Sequence, residues 1–416
     1  MEVRPGYKQT DVGVIPKTWN VESLGELFLF RNGVNADKDA YGQGVRFVNV
    51  LEPITYSHIH GPEITGLVTL PESAIESYAV RCGDVLFNRT SETQEEVGLA
   101  ATYLGSERVV FGGFVIRGRP TSGTLDPTYS GYALRAPCIR SQIIPMGQGA
   151  IRANIGQSNL RLVVAPLPPL PEQSAIAAAL KDVDALLLGL TQLVTKKRDI
   201  KQAAMQQLLT GRVRLPGSHG EWEVKKLREV VSTPITDGPH LTPTFLADGV
   251  PFLSVNNLVN NQLDLRAIRF VSKEDHLEFS KKCKPRKGDI LFGKAASVGM
   301  VALIETDVEL NIWSPLAMIR VSHKASARFV CYALQASHVG RQIKLLTNSS
   351  SQGNIGMEEI GLLEIPLPTP DEQIAIATVL GDMDAELAAL EARRDKTRAL
   401  KQAMMQELLT GRTRLV

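Results

Sequence analysis

Three short segments carry residue types that could do chemistry. Gly288-Asp289-Ile290-Leu291-Phe292-Gly293-Lys294-Ala295 nearly spells G-x-x-x-x-G-K-[ST], the loop whose amides cradle phosphate and whose hydroxyl holds magnesium. Ala295 supplies no hydroxyl, and Ile290-Leu291-Phe292 reads as a buried strand rather than a phosphate loop. Asp126-Pro127-Thr128-Tyr129 comes close to a D-P-P-Y motif that holds an amine during methyl transfer. It departs at the third position, no glycine-rich methyl-donor loop follows a strand elsewhere, and a helix start explains the same residues. His58-Ile59-His60 offers two metal ligands without a third at a telling distance. No Ser-His-Asp or Cys-His set can be assembled, so neither catalytic residues nor a metal site are expected.

What would position any functional residue is a duplication. Segment 166–215 returns as 366–415 with 28 of 50 residues identical at a fixed offset of 200, including Glu172-Gln173 with Glu372-Gln373 and Leu208-Leu209-Thr210-Gly211-Arg212 with Leu408-Leu409-Thr410-Gly411-Arg412. Each copy reads as one long helix. Pro171 and Pro370 suit the first turn, Thr369 with Glu372 has capping-box spacing, and Gly211 and Gly411 fall where a left-handed terminal residue is wanted. About 40 residues at a helical rise span roughly 60 Å.

Apolar residues recur at alternating steps of four and three: Ile176, Leu180, Val183, Leu187, Leu190, Val194, and Ile376, Leu380, Met383, Leu387, Leu390. That period of about 3.5 predicts an antiparallel coiled-coil pair within the chain, resuming through Ile200, Ala204 and Leu208 or Leu400, Met404 and Leu408.

A chain of 416 residues with 44% hydrophobic residues has material for two or more cores. The start lacks a signal peptide's apolar stretch, no apolar run is long enough to span a membrane, and the four cysteines have no C-x-x-C spacing; a cytoplasmic protein with reduced thiols is expected. A net charge of +2 does not by itself announce a nucleic-acid binder, although basic residues cluster locally, as in 281–287.

The remaining blocks, 1–165 and 216–365, resemble each other faintly through Gly83-Asp84-Val85-Leu86-Phe87 and Gly288-Asp289-Ile290-Leu291-Phe292. They are dense in short β-type runs such as 109–116 and 299–304, with helical stretches near 130–144 and 325–346. The expected fold class is α+β: β-rich mixed domains at 1–165 and 216–365, long helices at 166–215 and 366–416, and a pseudo-two-fold internal duplication. Such a chain imitates a dimeric DNA reader whose half-sites differ while its framework repeats.

Over essentially its full length the sequence resembles the DNA specificity subunits of type I restriction-modification systems. The resemblance rests on Tyr7-Lys8-Gln9-Thr10-Asp11-Val12-Gly13-Val14-Ile15-Pro16-Lys17-Thr18-Trp19, the two G-D-[VI]-L-F strands, and the doubled P-L-P…E-Q…L-L-T-G-R-x-R-L helices. It implies two target-recognition domains separated by two conserved helical spacers, a bipartite DNA site, and no catalytic activity in this subunit. Implied partners are two methyltransferase subunits and ATP-driven endonuclease subunits, with S-adenosylmethionine, ATP and magnesium held by those partners. A specificity subunit of another multisubunit restriction class and a protein-only coiled-coil scaffold are the alternatives.

Base readout needs donors and acceptors carried on loops. The expected DNA-facing residues are Asn88, Arg89, Thr90, Ser91, Gln94, Asn154 and Gln157 in the first block, with Arg117 and Arg119 as phosphate contacts, and Asp237, His240, Lys294, Ser297, Asn348, Ser351 and Gln352 in the second. Polar and small residues repeated at +200, Gln173, Ala177 and Asp184 with Gln373, Ala377 and Asp384, are the expected methyltransferase-docking positions.

Overall fold

The computed structural model describes residues 4–149, 152–347 and 353–415. Two compact units emerge, one of residues 1–191 with 392–416, the other of 192–391. Each contains one β-rich globule, the opening turns of the helix that follows it, and the closing turns of the other long helix.

In the first unit a five-stranded sheet has the order Phe28–Asn32, Val115–Pro120, Val85–Asn88, Ala100–Tyr103, His58–Ile59. A smaller sheet runs Val109–Phe111, Tyr41–Val48, Leu67–Val68. The predicted run 109–116 is two strands, because Gly112-Gly113-Phe114 carries the chain from one sheet to the other. A Cβ on Gly112 would sit 2.5 Å from the Phe47 ring, so the crossing admits no side chain there. Strand Asn20–Ser23 pairs antiparallel with Val164–Leu167 and so ties the start of the globule to its end.

The second unit repeats this plan with fewer strands. Its main sheet runs Thr236–Asp237, Leu316–Ile319, Ile290–Gly293, Val301–Leu303, and its smaller sheet Arg269–Val271, Val250–Leu253, Asn311–Ile312. Glu223–Lys226 pairs with Glu364–Leu367 as the equivalent tie. Ile290–Gly293 is a fully buried strand, so the P-loop-like segment is part of the core. Asp126 caps the helix Pro127–Ala133 by accepting from the Tyr129 amide at 2.8 Å, as a helix start requires. The predicted helical stretches each break into two: Pro127–Ala133 and Pro137–Ile143, Ala327–Leu334 and Ser337–Leu346.

The long helices are Leu170–Leu208 and Pro370–Leu408, and each ends before a glycine in the left-handed region, Gly211 at φ +67° and Gly411 at φ +68°. In the first unit Ile176, Ala177 and Leu180 share a core with Leu408, Leu409, Trp19, Tyr129 and Tyr132. In the second, Ile376, Ala377 and Leu380 join Leu208, Leu209, Phe329 and Tyr332. Arg414 meets Glu172 and Lys401 meets Asp184, so numbers rise along one helix as they fall along the other: the pair is antiparallel. Leu190 and Val194 are buried as the 3.5 period predicts, whereas Ile200 and Leu400 lie exposed outside the seam. Each buried leucine contributes about 1.5–3 kcal/mol, which offsets the cost of ordering these helices. Among the described residues no helix is long and apolar enough to cross a membrane.

Candidate nucleic-acid interface

The doubled G-D-[VI]-L-F motif builds a frame. Gly83 and Gly288 turn at φ +91° and +90°, where a side chain is strained, and place Asp84 and Asp289 immediately before the strands Val85–Asn88 and Ile290–Gly293. Arg119 grips both oxygens of Asp84 at 2.9 and 2.7 Å; Arg320 grips Asp289 at 2.8 and 2.7 Å. The same carboxylates accept from the amides of Arg81 and Arg286. Arg119 is therefore an internal strut, which corrects its expected role as a phosphate contact. Arg117 is corrected too: it is 7% exposed, donates to the Ala79 carbonyl, and burial pulls its guanidinium down to about 10.

Beyond the strand, both globules fold the chain through one construction. The Arg89 amide donates to the Phe114 carbonyl at 2.9 Å and its own carbonyl accepts from Ile155 at 3.0 Å. In the second unit the Lys294 amide donates to Pro315 at 2.8 Å and its carbonyl accepts from Ile355 at 3.0 Å. Arg89 and Lys294 thus occupy the same backbone position with different side chains. Strand Thr90–Ser91 pairs with Ala153–Asn154, and an Ala295–Asn354 bridge is its counterpart.

In the first unit the structure brings Thr90 and Asn154 together, hydroxyl to carboxamide at 2.6 Å, with both side chains accessible. Gln94 is exposed and donates to the Ile144 carbonyl, and the carboxamide of Gln157 meets that of Asn32 at 2.9 Å. Asn88 and Ser91 are buried and bonded to Glu96, so they hold the loop rather than face a ligand, a correction to their expected base contact. A cavity of about 560 Å³ opens beside Thr90, lined also by Leu51, Phe114 and Arg152.

In the second unit Asp237, 1% exposed, receives Lys282 at 2.6 Å and Lys294, with His240 3.5 Å away. Burial works to raise the Asp237 carboxyl, but the hydrogen bonds and charges of both lysines outweigh it and hold it below its ordinary value. A buried, doubly paired carboxylate does not reach a base, so Asp237 is an anchor for cations and not itself a contact. His240 is exposed, and Ser297 is half-buried beside the strained Ala296 at φ +61°. Asn348, Ser351 and Gln352 lie outside the described residues.

The residues proposed for docking have an inward role. Gln173 and Gln373 are fully buried: Gln173 accepts from the Asp126 amide and donates to Thr124 and Pro168, while Gln373 accepts from Ser326 and donates to Pro368. Ala177 and Ala377, each 3% exposed, sit in the two cores. These four cannot line an outer face. Asp184 accepts from Tyr132 at 2.8 Å and pairs with Lys401 at 2.6 Å; Asp384 accepts from Tyr332 at 2.7 Å and pairs with Lys201. Both aspartates remain half-buried. Next to Asp384 a cavity of about 760 Å³ is walled by Gln262, Glu305, Arg328 and Gly381. In the first unit the His58 ring lies 4.5 Å from that of Tyr132, the counterpart of Tyr332.

Sequence reasoning missed the strongest polar clamps. Arg414 takes both oxygens of Glu172 at 2.6 Å and Trp19 donates to the same carboxylate at 2.8 Å. Arg214 holds both oxygens of Glu372 at 2.7 Å and Trp222 donates at 3.2 Å. The doubled E-Q and R-x-R were the available signal.

A domain family described as "Type I restriction modification DNA specificity domain" matches residues 219–398. A putative type I restriction enzyme specificity subunit, MjaX, of Methanocaldococcus jannaschii is 27% identical and covers 98% of this chain and 97% of its own length. The EcoKI specificity subunit of Escherichia coli strain K12 is 23% identical, covering 95% of this chain and 89% of its own. In fold the chain is similar to the S subunit of the type I restriction-modification system from M. genitalium, with a TM-score of 0.60, 14% identity and 98% of both chains covered. With two globules on one repeated frame and a paired long helix in each unit, the chain is similar over nearly its full length to specificity subunits of type I restriction-modification systems, and residues 219–398 match their DNA specificity domain.

Proposed function

We propose that this chain is the non-catalytic, DNA-reading member of a type I restriction-modification complex, taking one half of a bipartite site with each globule. The observation that carries this reading is the shared position of Arg89 and Lys294, where one backbone construction presents unlike side chains. A common frame with divergent loops is what reading two different half-sites demands. On this reading Arg89, Thr90, Gln94, Asn154 and Gln157 face one half-site and His240, Lys294 and Ser297 the other. Two methyltransferase subunits and the endonuclease/translocase subunits are the partners, the reaction takes place in the cytoplasm, and S-adenosylmethionine, ATP and magnesium are held by those partners. Methylation of adenine requires the base to leave the stack for the partner's pocket, so this chain positions without reacting.

The test is single-molecule methylation mapping in a host given this gene with its neighbouring methyltransferase gene. N6-methyladenine at one split motif with two unlike halves is the expected result. Methylation independent of this chain, in a complex shown to assemble, would leave a protein-only scaffold as the better account.

A further inference from the structure

In the smaller sheet of the second unit, Arg269 is held between two rings. Its guanidinium lies 4.2 Å from the centre of Phe245 and 5.5 Å from that of Trp313. Both rings lean on the buried Phe252, at 5.9 and 6.5 Å. Other arginines of this unit spend their donors on carboxylates of the chain, Arg266 on Asp264 at the surface and Arg320 on the buried Asp289. The side chain of Arg269, half-buried, donates no hydrogen bond and forms no ion pair among the described residues. Stacking has already removed much of its rotamer freedom, so a ligand meets a fork that is oriented and unsatisfied.

The location is equally specific. Trp313-Ser314-Pro315 links this cluster to the two expected reading segments: the Ser314 amide donates to Pro239 at 3.2 Å, next to His240, and the Pro315 carbonyl accepts from Lys294 at 2.8 Å. Among the described residues of the first unit, Arg31, Arg117 and Arg161 each lie over one ring only. There the strand residue equivalent to Phe252 is Phe47, whose amide donates to Gly66, and the turn position of Trp313 belongs to Gly112, packed against the Phe47 ring.

Resting on the DNA-reading assignment above, the geometry points to Arg269 as a specificity-determining residue that reads one guanine of the second globule's half-site through O6 and N7. A planar fork matches those two acceptors in the major groove, whereas a phosphate would accept the same fork without regard to sequence.

The test uses the complex of this chain with its methyltransferase subunits and duplexes carrying the mapped motif, with each guanine replaced in turn by 7-deazaguanine, which lacks the N7 acceptor. At one guanine, in one half-site only, the substitution should weaken binding by roughly tenfold, and Arg269→Ala should reduce that sensitivity to about twofold or less. Arg269→Lys keeps a cation against the rings without the fork and should lose the same discrimination; it carries the test if the alanine variant does not fold. A motif without guanine in either half-site, an Arg269→Lys or Arg269→Ala complex as sensitive as the native one, or a loss equal on mapped and scrambled duplexes with a shallower salt dependence would each overturn the guanine assignment, the last in favour of a phosphate contact. Failure of the native complex to prefer the mapped duplex at all would instead bring down the DNA-reading assignment itself.

Discussion

Trp19 and Trp222 hold the same place in the two units, each giving its indole N–H to a glutamate that an arginine grips with both arms, yet Trp19 is sealed and Trp222 half-exposed. The same contrast runs outward through the molecule. Asp84 with Arg119 matches Asp289 with Arg320, Tyr132 with Asp184 matches Tyr332 with Asp384, and the backbone around Arg89 matches that around Lys294. Past that frame, which still includes Asn154 and Asn354, the likeness ends, with Thr90 and Gln94 on one side and Asp237, Lys282, Lys294 and His240 on the other. Bonds that position the loops are repeated, while side chains at the loop tips are not. On the reading proposed above, a frame that holds two different readers is constrained by its interior geometry.

The sharpest way to break the comparison is at the tryptophans. Trp19→Ala should cost about 3–5 kcal/mol, and Trp222→Ala about half as much because less of it is removed from water. Differential scanning calorimetry of the two variants would check this, equal losses contradicting the burial difference. Next come the paired reading positions. Arg89→Ala and Lys294→Ala should each relax discrimination by about 1–3 kcal/mol, each in a different half of the motif, as read by binding to singly substituted duplexes. Loosening of the same half by both variants would refute the division of labour.

A smaller effect sharpens the likeness. Tyr132→Phe and Tyr332→Phe each remove one hydrogen bond to a half-buried carboxylate that keeps its lysine, and should each cost about 1 kcal/mol in denaturant unfolding. Markedly unequal values would show that the clamps are not equivalent. The smallest expected effect separates the globules by pH. The Asp237 carboxyl is held below its ordinary value, so its stabilising charge is fully present above the unfolded carboxylate value of about 3.9 and is lost as pH falls through the lower folded value. Asp237→Asn should therefore flatten the acid limb of unfolding measured by circular dichroism; an unchanged acid limb would show that the pair contributes nothing there.

The period of the long helices and their glycine stops were legible because spacing alone determines which face is buried, and Ile176, Leu180 and Leu190 obey it. The G-D turn was legible as a repeated motif, but not the partner of its aspartate, since Arg119 lies four strands beyond the one that follows the turn. Gln173 and Gln373 show the limit most clearly. A polar residue repeated on a helix reads as surface, and only the carbonyls of Pro168 and Pro368, turned back over the helix start, make it interior. Arg269 was invisible for a related reason: Phe245 and Trp313 lie far from it in sequence and meet it only through the folding of the small sheet.

Neither repeat owns a whole core. The first unit needs Leu408 and Leu409 and the second needs Leu208 and Leu209, each pair supplied by the other repeat's helix. Because those residues sit in identical Leu-Leu-Thr-Gly-Arg stretches, each core receives the same side chains from the other repeat's helix end. In evolutionary terms the repeats are both the structural joint and a tract of homologous gene sequence. On the reading proposed above, recombination within that tract would exchange one globule, and with it one half of the target, without any residue of the joint being reinvented.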